Sequence, residues 1–556
     1  MADILQTSPA GQPIAIVGLA CRFPDADDPP ALHDMVLTGR RAFRRIPPCR
    51  ADLTGYPSTG PAVRDATQSP RAALIEGWQF NTDRFRIPMT AYTAADPAQW
   101  LALETAAQAL AGAGFPGAEG LARDRVGVFI GNALGTGSSH PSALRMRWPH
   151  VRRVLAGALS AANIPAEAAG QVLRHAADQY LAPLPQTSDD TLASIIPESI
   201  IPASIVSVIC GYFGFRGGSL AVDGGCASSL PAVTSACLSI ISGDIDVALA
   251  GGVDLSLDPL GLAGLAGTGP LATADVRVYD ENPTGFLPGE GCGMVVLMRT
   301  AQARAARLRI YAEIAGWGTS AAGQGSGIAA DAAGQLVALR RACEGAGTDP
   351  ADIQLIEGHG AGTAAGDEAE LTALAELHKG ARGGAHTGTR EAALGSITAN
   401  MGHAGAAAGV AGLIKTALAL SAGVIPPATG WSTPHPVLRG SGGALRLPRS
   451  AEQWPAGART AGVSAMGLGG LNLHLILRGP SATQSRLGRV LRVLPQRASP
   501  GSRPGTGPAV TTSRASDGTA RAELHAAFGA NRAARQSGQT LDRPASLPDH
   551  RLLRRK

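Results

Sequence analysis

The chain has 556 residues, of which 45% are hydrophobic and 16% are charged, and its formal net charge is +5. This length and this apolar content predict a globular protein with two fused halves and large buried cores. Its seven cysteines are scattered and form no C-x-x-C pair, so neither a zinc knuckle nor a disulfide framework is indicated.

The N-terminus carries no recognisable targeting signal. Its first six residues lack a basic start followed by an apolar core, so no secretory signal peptide is expected. The most membrane-like stretch, 195–215, is interrupted by two prolines and a glutamate, which argues against a membrane span. We therefore expect a cytoplasmic protein that does not contact a membrane.

Strand-like and helix-like segments alternate along the chain. Short apolar runs such as 126–130 and 247–250 have the composition of buried strands, and Ala-rich segments separate them. This alternation predicts an α/β architecture. The 72 glycines and many alanines indicate close packing between helices and sheet.

One cysteine lies in a setting typical of a nucleophile. Cys226 follows two glycines at the end of the apolar run 220–222, and a helix-like segment rich in Ala, Ser and Leu comes next. On such a strand-to-helix turn the sulfur lies at the positive end of the helix dipole, which favours the thiolate. The alternative for a lone cysteine is a buried structural role, which is the commoner one.

Two histidines lie in glycine-lined loops further along the chain. His359 follows the apolar segment 353–356, and His403 precedes a long small-residue helix predicted over 404–420. In such loops an imidazole can face a cavity instead of packing in a core. Each histidine alone has the ordinary alternative of a surface or core residue, but the cysteine and both histidines together predict a catalytic site.

The last part of the chain, 481–556, has a different composition. It contains fourteen basic residues against four acidic ones, and Ser, Pro, Gly and Arg dominate 498–516. We predict a basic disordered tail here. Because few aromatic residues accompany the arginines, nucleic-acid binding is not expected, and an acidic protein partner suits the charge better.

These motifs come in the order found in one enzyme family. The Cys226 segment, the two His loops and the segments 289–293 and 467–472 are arranged as in β-ketoacyl synthases. The similarity covers about residues 12–480. The opening stretch 14–24 resembles the start of a ketosynthase domain of polyketide synthases. Three further stretches are most similar to iterative type I synthases of the enediyne kind: 39–45, 147–153 and 251–259.

The resemblance implies a thiolase-like α/β fold with two similar αβαβα halves, usually in a homodimer. After an N-terminal segment, 1–11, the half with the nucleophilic cysteine would span 12–305. The half with both histidines would span 306–480.

The resemblance also implies roles for the site residues. Cys226 would accept an acyl group, and His359 and His403 would donate hydrogen bonds from Nε2 to the malonyl thioester oxygen. Backbone N–H groups of Cys226 and Leu468 would form the oxyanion hole. Thr363 would hydrogen-bond the phosphopantetheine arm.

Other residues are given supporting roles. Asn400 and Gly469 are expected to contribute to substrate binding, and Asn400 and Asn472 to hydrogen-bond the backbone of their own loops. Glu290 is predicted to be a buried structural carboxylate that fixes loops. Lys415 is predicted to be a solvated charge.

The implied reaction joins an acyl-cysteine to malonyl-carrier protein by decarboxylative condensation, in polyketide or fatty acid biosynthesis. The expected partners are an acyl carrier protein, acyl and malonyl thioesters and a separate acyltransferase. No metal and no bound cofactor are expected, because the phosphopantetheine belongs to the carrier.

The sequence departs from the family pattern at four positions: Thr398 replaces a common Lys, Gly405 a common Glu, Leu468 a gating Phe and Ala361 a Thr. Pro231 is a separate oddity, because it cannot donate a helical hydrogen bond; either the helix starts later than Cys226 or its first turn is distorted. Two alternatives therefore stay open beside the condensing enzyme. One is an acyl transferase that does not condense, and the other is a non-catalytic subunit of a ketosynthase heterodimer.

Overall fold

A computed structural model describes most of the region that precedes the basic tail. The N-terminal segment 1–11, Cys49 and the tail 481–556 lie outside the described residues. The described residues are 12–48, 50, 71–133, 141–181, 203–257, 261–262, 265, 271–272, 274–323, 330–381 and 391–480.

Fifteen strands and fourteen α-helices are defined in these ranges. The strands are β1 Ile14–Arg22, β2 Phe43–Arg45, β3 Arg71–Ala73, β4 Val126–Gly131, β5 Ser219–Val222, β6 Val247–Asp254, β7 Gly291–Arg299, β8 Ala312–Ala321, β9 Leu355–Glu357, β10 Ala392–Gly395, β11 Val424–Ile425, β12 Leu445–Arg446, β13 Glu452–Gln453, β14 Thr460–Met466 and β15 Leu471–Arg478. The helices are α1 Pro29–Leu37, α2 Thr82–Phe85, α3 Met89–Ala94, α4 Pro97–Gly112, α5 Pro141–Ala161, α6 Ala166–Leu181, α7 Ala203–Phe213, α8 Ser229–Ser242, α9 Thr300–Ala305, α10 Ala332–Ala346, α11 Ala364–Ala381, α12 Thr398–Met401, α13 Ala408–Ala422 and α14 Pro436–Gly440.

The main sheet repeats one topology twice. Its order is β12-β10-β9-β14-β15-β8-β1-β7-β6-β4-β5. In the first half, β1 pairs with β7 and β7 with β6 antiparallel, while β6–β4 and β4–β5 are parallel. The second half repeats this pattern with β8, β15, β14, β9 and β10. The two halves therefore have the same connectivity, and β1 and β8 join them.

Three hydrophobic cores define the layers. One face of both half-sheets packs on a shared core that contains α8 and α13. The other face of the first half packs against α4 and α7, and that of the second half against α10 and α11. The sequence of layers is αβαβα, built by the two halves together and not by each half separately. The thiolase-like α/β fold is confirmed.

This topology brings corresponding loops to the middle of the molecule. Cys226 follows the carboxyl end of β5, and the loop with His403 follows β10, which is the counterpart of β5 in the second half. His359 follows the carboxyl end of β9. Ligand sites in α/β proteins commonly lie at the carboxyl ends of parallel strands.

Several predicted elements are found where expected. The runs 126–130 and 247–250 belong to β4 and β6. Within the described residues, 405–422 is the one helical segment long and apolar enough to span a membrane. It includes α13, and 78% of it is buried inside the protein, as expected of a core helix.

Candidate active site

The turn that carries Cys226 is held by its own side chains. Ser228 Oγ accepts a hydrogen bond from the Gly224 N–H at 2.9 Å and donates one to the Gly225 carbonyl at 2.5 Å. Gly225 has φ +59°, in the left-handed region that favours glycine. These contacts fix the half-buried cysteine between strand β5 and helix α8.

Helix α8 begins at Ser229, three residues after the cysteine. Pro231 is then the third residue of the helix, where the backbone N–H has no partner within the helix. Of the two outcomes open for Pro231 in the sequence, the later helix start is the one observed. The predicted strand-to-helix turn is confirmed.

A second loop packs directly on this turn. A Cβ on Gly467 would lie 2.1 Å from the Gly224 carbonyl oxygen, so only glycine fits there. The backbone N–H groups of Cys226 and Leu468 both lower the pKa of the Cys226 thiol, as donors beside the sulfur do. The two predicted oxyanion-hole donors therefore lie beside the nucleophile, and their contact with an oxyanion stays a prediction.

The resting thiol is protonated, in contrast to the thiolate expected from the helix dipole. Burial and, to a smaller extent, the negative charge of Asp254 raise the pKa of Cys226, the two N–H groups lower it, and the net result is a pKa of about 12. The prediction of a thiolate was wrong because desolvation outweighs the backbone donors.

Alkylation of Cys226 by iodoacetamide is expected to accelerate about tenfold per pH unit between pH 7 and 10, with no plateau. The alkylation rate rises with pH because the thiolate fraction keeps growing until the pH reaches the raised pKa of the thiol. Peptide mass spectrometry of the Cys210→Ala variant would measure the rate at Cys226 alone. A plateau near pH 7 would contradict the protonated resting state.

The His359 loop is organised by a buried carboxylate. Glu370, on helix α11, accepts hydrogen bonds from the N–H groups of His359 at 2.7 Å and Gly360 at 2.9 Å, and from the Tyr279 hydroxyl. Asp367, one turn earlier, accepts from the N–H groups of Gly362 and Tyr279. The sequence analysis missed both acids, although two acids three residues apart after a glycine-rich loop were a usable signal.

The His403 loop fixes the protonation pattern of its imidazole. The Gly405 N–H donates to His403 Nδ1 at 3.1 Å, so in the neutral ring the proton is on Nε2. The His403 and His359 rings meet edge to face, with centroids 5.1 Å apart. Burial lowers the pKa of His403 and lowers that of His359 to about 3, so both rings are neutral at pH 7.

Thr398, which stands where much of the family has a lysine, connects the two His loops. Its hydroxyl donates to the His359 carbonyl at 3.2 Å, and the Ser396 hydroxyl donates to the same oxygen at 3.0 Å. The replacement therefore removes a charge but keeps a contact between the loops.

Lys415 is not a solvated charge, as the sequence analysis expected. It is only 4% exposed, and its Nζ lies 2.5 Å from Oε2 of the buried Glu357. Glu357 also accepts a hydrogen bond from the Ile397 N–H at 2.6 Å. The prediction failed because helix α13 is buried on nearly all sides.

The Lys415→Met substitution is expected to destabilise the protein by about 3–5 kcal/mol, because it leaves Glu357 as an unpaired buried charge. The double variant Lys415→Met/Glu357→Gln should regain most of this loss. Urea unfolding of both variants measures the difference. Equal stability of the single variant and the wild type would contradict a buried ion pair.

The other predicted residues lie near these loops. The Asn472 amide donates to the Gly470 carbonyl of its own loop and to Ser320 Oγ. The Asn400 amide instead donates at 2.9 Å to the carbonyl of Arg40, which lies outside its own loop. These contacts of Asn400 are structural, and its contact with substrate stays a prediction.

Glu290 is fully buried and accepts from the Ile75 N–H at 2.8 Å and from Arg50, which confirms the predicted structural carboxylate. The Thr363 hydroxyl is half-buried and accepts from the Gly366 N–H at 3.3 Å. Gly469 has φ +124°, and a Cβ there would meet open space. The substrate contacts predicted for Thr363 and Gly469 stay predictions.

The fold and the site define a class of protein. A thiolase-like α/β fold with one cysteine beside two backbone donors, and with two neutral imidazoles in contact with each other, is suited to acyl transfer and carbanion chemistry. Two family models match the chain, the β-ketoacyl synthase N-terminal domain over residues 11–303 and its C-terminal domain over residues 311–431. The chain belongs to the β-ketoacyl synthase family.

Similar proteins are polyketide synthases and their ketosynthases. The chain is 33% identical over 473 residues to a phenolphthiocerol/phthiocerol polyketide synthase of Mycobacterium tuberculosis, covering 84% of this chain and 22% of that protein. It spans about a fifth of the length of such relatives.

Two solved ketosynthases cover 84% of this chain. One is from module 6 of the bacillaene synthase of Bacillus subtilis 168, with 26% identity, TM-score 0.66 and 72% of its own chain covered. The other is an oxazolomycin ketosynthase domain of Streptomyces albus JA3453, with 29% identity, TM-score 0.68 and 75% of its chain covered.

Proposed function

We propose that the chain is a working condensing enzyme, which transfers an acyl group to Cys226 and extends it by two carbons from a malonyl thioester. The observation that carries this proposal is that the N–H groups of Cys226 and Leu468 lie beside the Cys226 thiol, while the His359 and His403 rings lie 5.1 Å apart in adjoining loops. The N–H of Val410, at the start of helix α13, donates to Ser229 Oγ and ties the His403 side of the site to helix α8.

In the first half-reaction the Cys226 sulfur attacks the carbonyl carbon of an acyl thioester. The tetrahedral oxyanion is stabilised by the N–H groups of Cys226 and Leu468. The bond to the sulfur of the donor then breaks, and the thiol proton leaves with that sulfur. The products are acyl-Cys226 and a free carrier thiol.

In the second half-reaction a malonyl thioester loses carbon dioxide. The electron pair of the broken carbon–carbon bond forms an enolate, and the Nε2–H groups of His403 and His359 donate to its oxygen. The enolate carbon attacks the acyl-cysteine, and the bond from the acyl carbon to the Cys226 sulfur breaks. A proton from solvent restores the thiol, and the β-ketoacyl thioester remains on the carrier.

The partners follow from this chemistry. The substrates are acyl and malonyl thioesters on the phosphopantetheine arm of an acyl carrier protein, and an acyltransferase on a separate chain would load the malonyl group. Polyketide synthesis is the favoured context because the similar proteins are polyketide synthases. The proposal also includes an enediyne-type likeness, a role in fatty acid synthesis and a cytoplasmic location.

A homodimer is also proposed, and strand β5 supports it. β5 is the edge of the main sheet, with no neighbour on its outer side among the residues that the structure describes, and Leu220 is 44% exposed there. Exposed edge strands pair readily with another chain.

Light scattering is expected to show a dimer for the wild type and a largely monomeric protein for the Leu220→Arg variant. A monomeric wild type would contradict the proposed homodimer.

The central test is mass spectrometry of carrier-bound species after mixing the enzyme with an acyl thioester donor and malonyl-carrier protein. A β-ketoacyl product supports the condensing enzyme. Acyl-Cys226 with intact malonyl-carrier would instead favour an acyl transferase, to which Thr398 and the non-aromatic Leu468 point. The absence of both acylation and decarboxylation would favour a non-catalytic subunit.

A further inference from the structure

Asp254 is a buried carboxylate at the end of strand β6 that the sequence analysis did not single out. It is 5% exposed. Its Oδ1 accepts hydrogen bonds from the N–H and the hydroxyl of Ser256, and its Oδ2 accepts from the Ala406 N–H at 3.0 Å. Burial raises the pKa of this carboxyl group, and the three hydrogen-bond donors on its two oxygens oppose that rise.

This carboxylate fills the space beside Gly405. A Cβ on residue 405 would lie 2.0 Å from Asp254 Oδ2 and 2.8 Å from its carboxyl carbon. Gly405 stands where much of the family has a glutamate. The acidic group missing from the His403 loop is therefore present at the same place, on a strand of the first half.

A short chain of hydrogen bonds links Asp254 to the imidazole of His403. The Ala406 N–H donates to Asp254 Oδ2, and the N–H of the preceding residue, Gly405, donates to His403 Nδ1. The turn 405–407 thus lies between the carboxylate and the ring. Holding this turn keeps the Nδ1 acceptor occupied, which leaves the proton on Nε2.

We propose that Asp254 is a positioning residue for decarboxylation, which supplies from strand β6 the carboxylate that Gly405 lacks and orients the Nε2–H of His403 through the turn 405–407. The proposal rests on the condensing activity proposed above. Asp254 acts through His403 and does not contact the reacting atoms.

The charge of Asp254 has opposite effects on the two catalytic groups. It favours positive charge on His403, which strengthens the Nε2–H donor as the enolate forms. It also disfavours the Cys226 thiolate. Removing the charge should therefore slow decarboxylation and speed up alkylation of the thiol, whereas a purely structural defect would lower both rates.

The test compares the Asp254→Asn variant with the wild type. With malonyl-pantetheine as the probe, we expect decarboxylation to fall about 10- to 100-fold in kcat, with KM changed less than about twofold. Alkylation of Cys226 by iodoacetamide at pH 8 should become faster, by about tenfold for each unit that the pKa of the thiol falls. Thermal unfolding reports whether the variant is folded.

Asp246 offers a matched control, because it is a carboxylate one residue before the same strand and pairs with Arg125 and Arg299 away from the site. Its change to Asn should leave both rates within about twofold of the wild type.

A second variant moves the charge: Asp254→Ala/Gly405→Asp places a carboxylate on the turn, where φ is +49° and aspartate is tolerated. We expect it to regain at least about tenfold of the lost decarboxylation rate.

The outcomes separate this proposal from the proposed function. The positioning role is overturned if the Asp254→Asn variant decarboxylates malonyl-pantetheine at the wild-type rate. It is also overturned if the decarboxylation and alkylation rates fall together and the Asp254→Ala/Gly405→Asp variant does not restore them. If the wild type itself does not decarboxylate malonyl-pantetheine, the proposed condensing function fails, and the positioning role that rests on it fails with it. Failure of the proposed function is thus seen in the wild type, whereas failure of the positioning role alone is seen in the variants.

Discussion

The Cys226→Ala variant is expected to lose condensation by about 10³-fold or more, since no acyl-enzyme can form without the sulfur. Four of the six described cysteines are fully buried, and only Cys226 and Cys210 are partly accessible. Cys210 lies on helix α7, outside the site, so it cannot replace the nucleophile. Mass spectrometry of the product on the carrier protein measures the loss.

The same variant should still decarboxylate malonyl-carrier protein, because the enolate oxygen is stabilised by the two histidines and not by the sulfur. Cys210→Ala is the matched control, and we expect it to condense at the wild-type rate. Condensation by Cys226→Ala at more than a few per cent of the wild-type rate would contradict a covalent acyl-cysteine.

The sequence alone predicts the frame of the site well. The turn at Cys226 and the two His loops are encoded locally, by glycines and short apolar runs whose conformations need few distant contacts. The two half-sheets pack on one shared core, and this packing brings the loops after β5, β9 and β10, each with its local signal, close to one another.

What the sequence does not predict depends on contacts across the two halves. Asp254 and Gly405 are 151 positions apart, and only the folded chain shows that the carboxylate of one fills the space beside the other. Lys415 is misjudged because its burial arises from packing on all sides of α13. The resting thiol is misjudged because desolvation, a tertiary effect, outweighs the local helix dipole.

The second large effect is expected for His403→Ala, which should reduce decarboxylation of malonyl-carrier protein by about 10²- to 10³-fold, the range found for loss of one oxyanion donor. Acylation of Cys226 should change by less than about threefold, because its oxyanion is stabilised by the N–H groups of Cys226 and Leu468. Rapid-quench assays of the two half-reactions, with intact-protein mass spectrometry for acylation, measure them separately.

His403→Gln is the informative companion, because its amide can present an N–H close to the position of Nε2. It should retain more decarboxylation than His403→Ala, whereas His175→Ala, on the exposed helix α6, should match the wild type. The contrast with Cys226→Ala distinguishes the two enzyme classes. An acyl transferase needs the cysteine and tolerates the loss of His403. A condensing enzyme needs both, because the donors of His403 and its neighbour His359 stabilise the enolate.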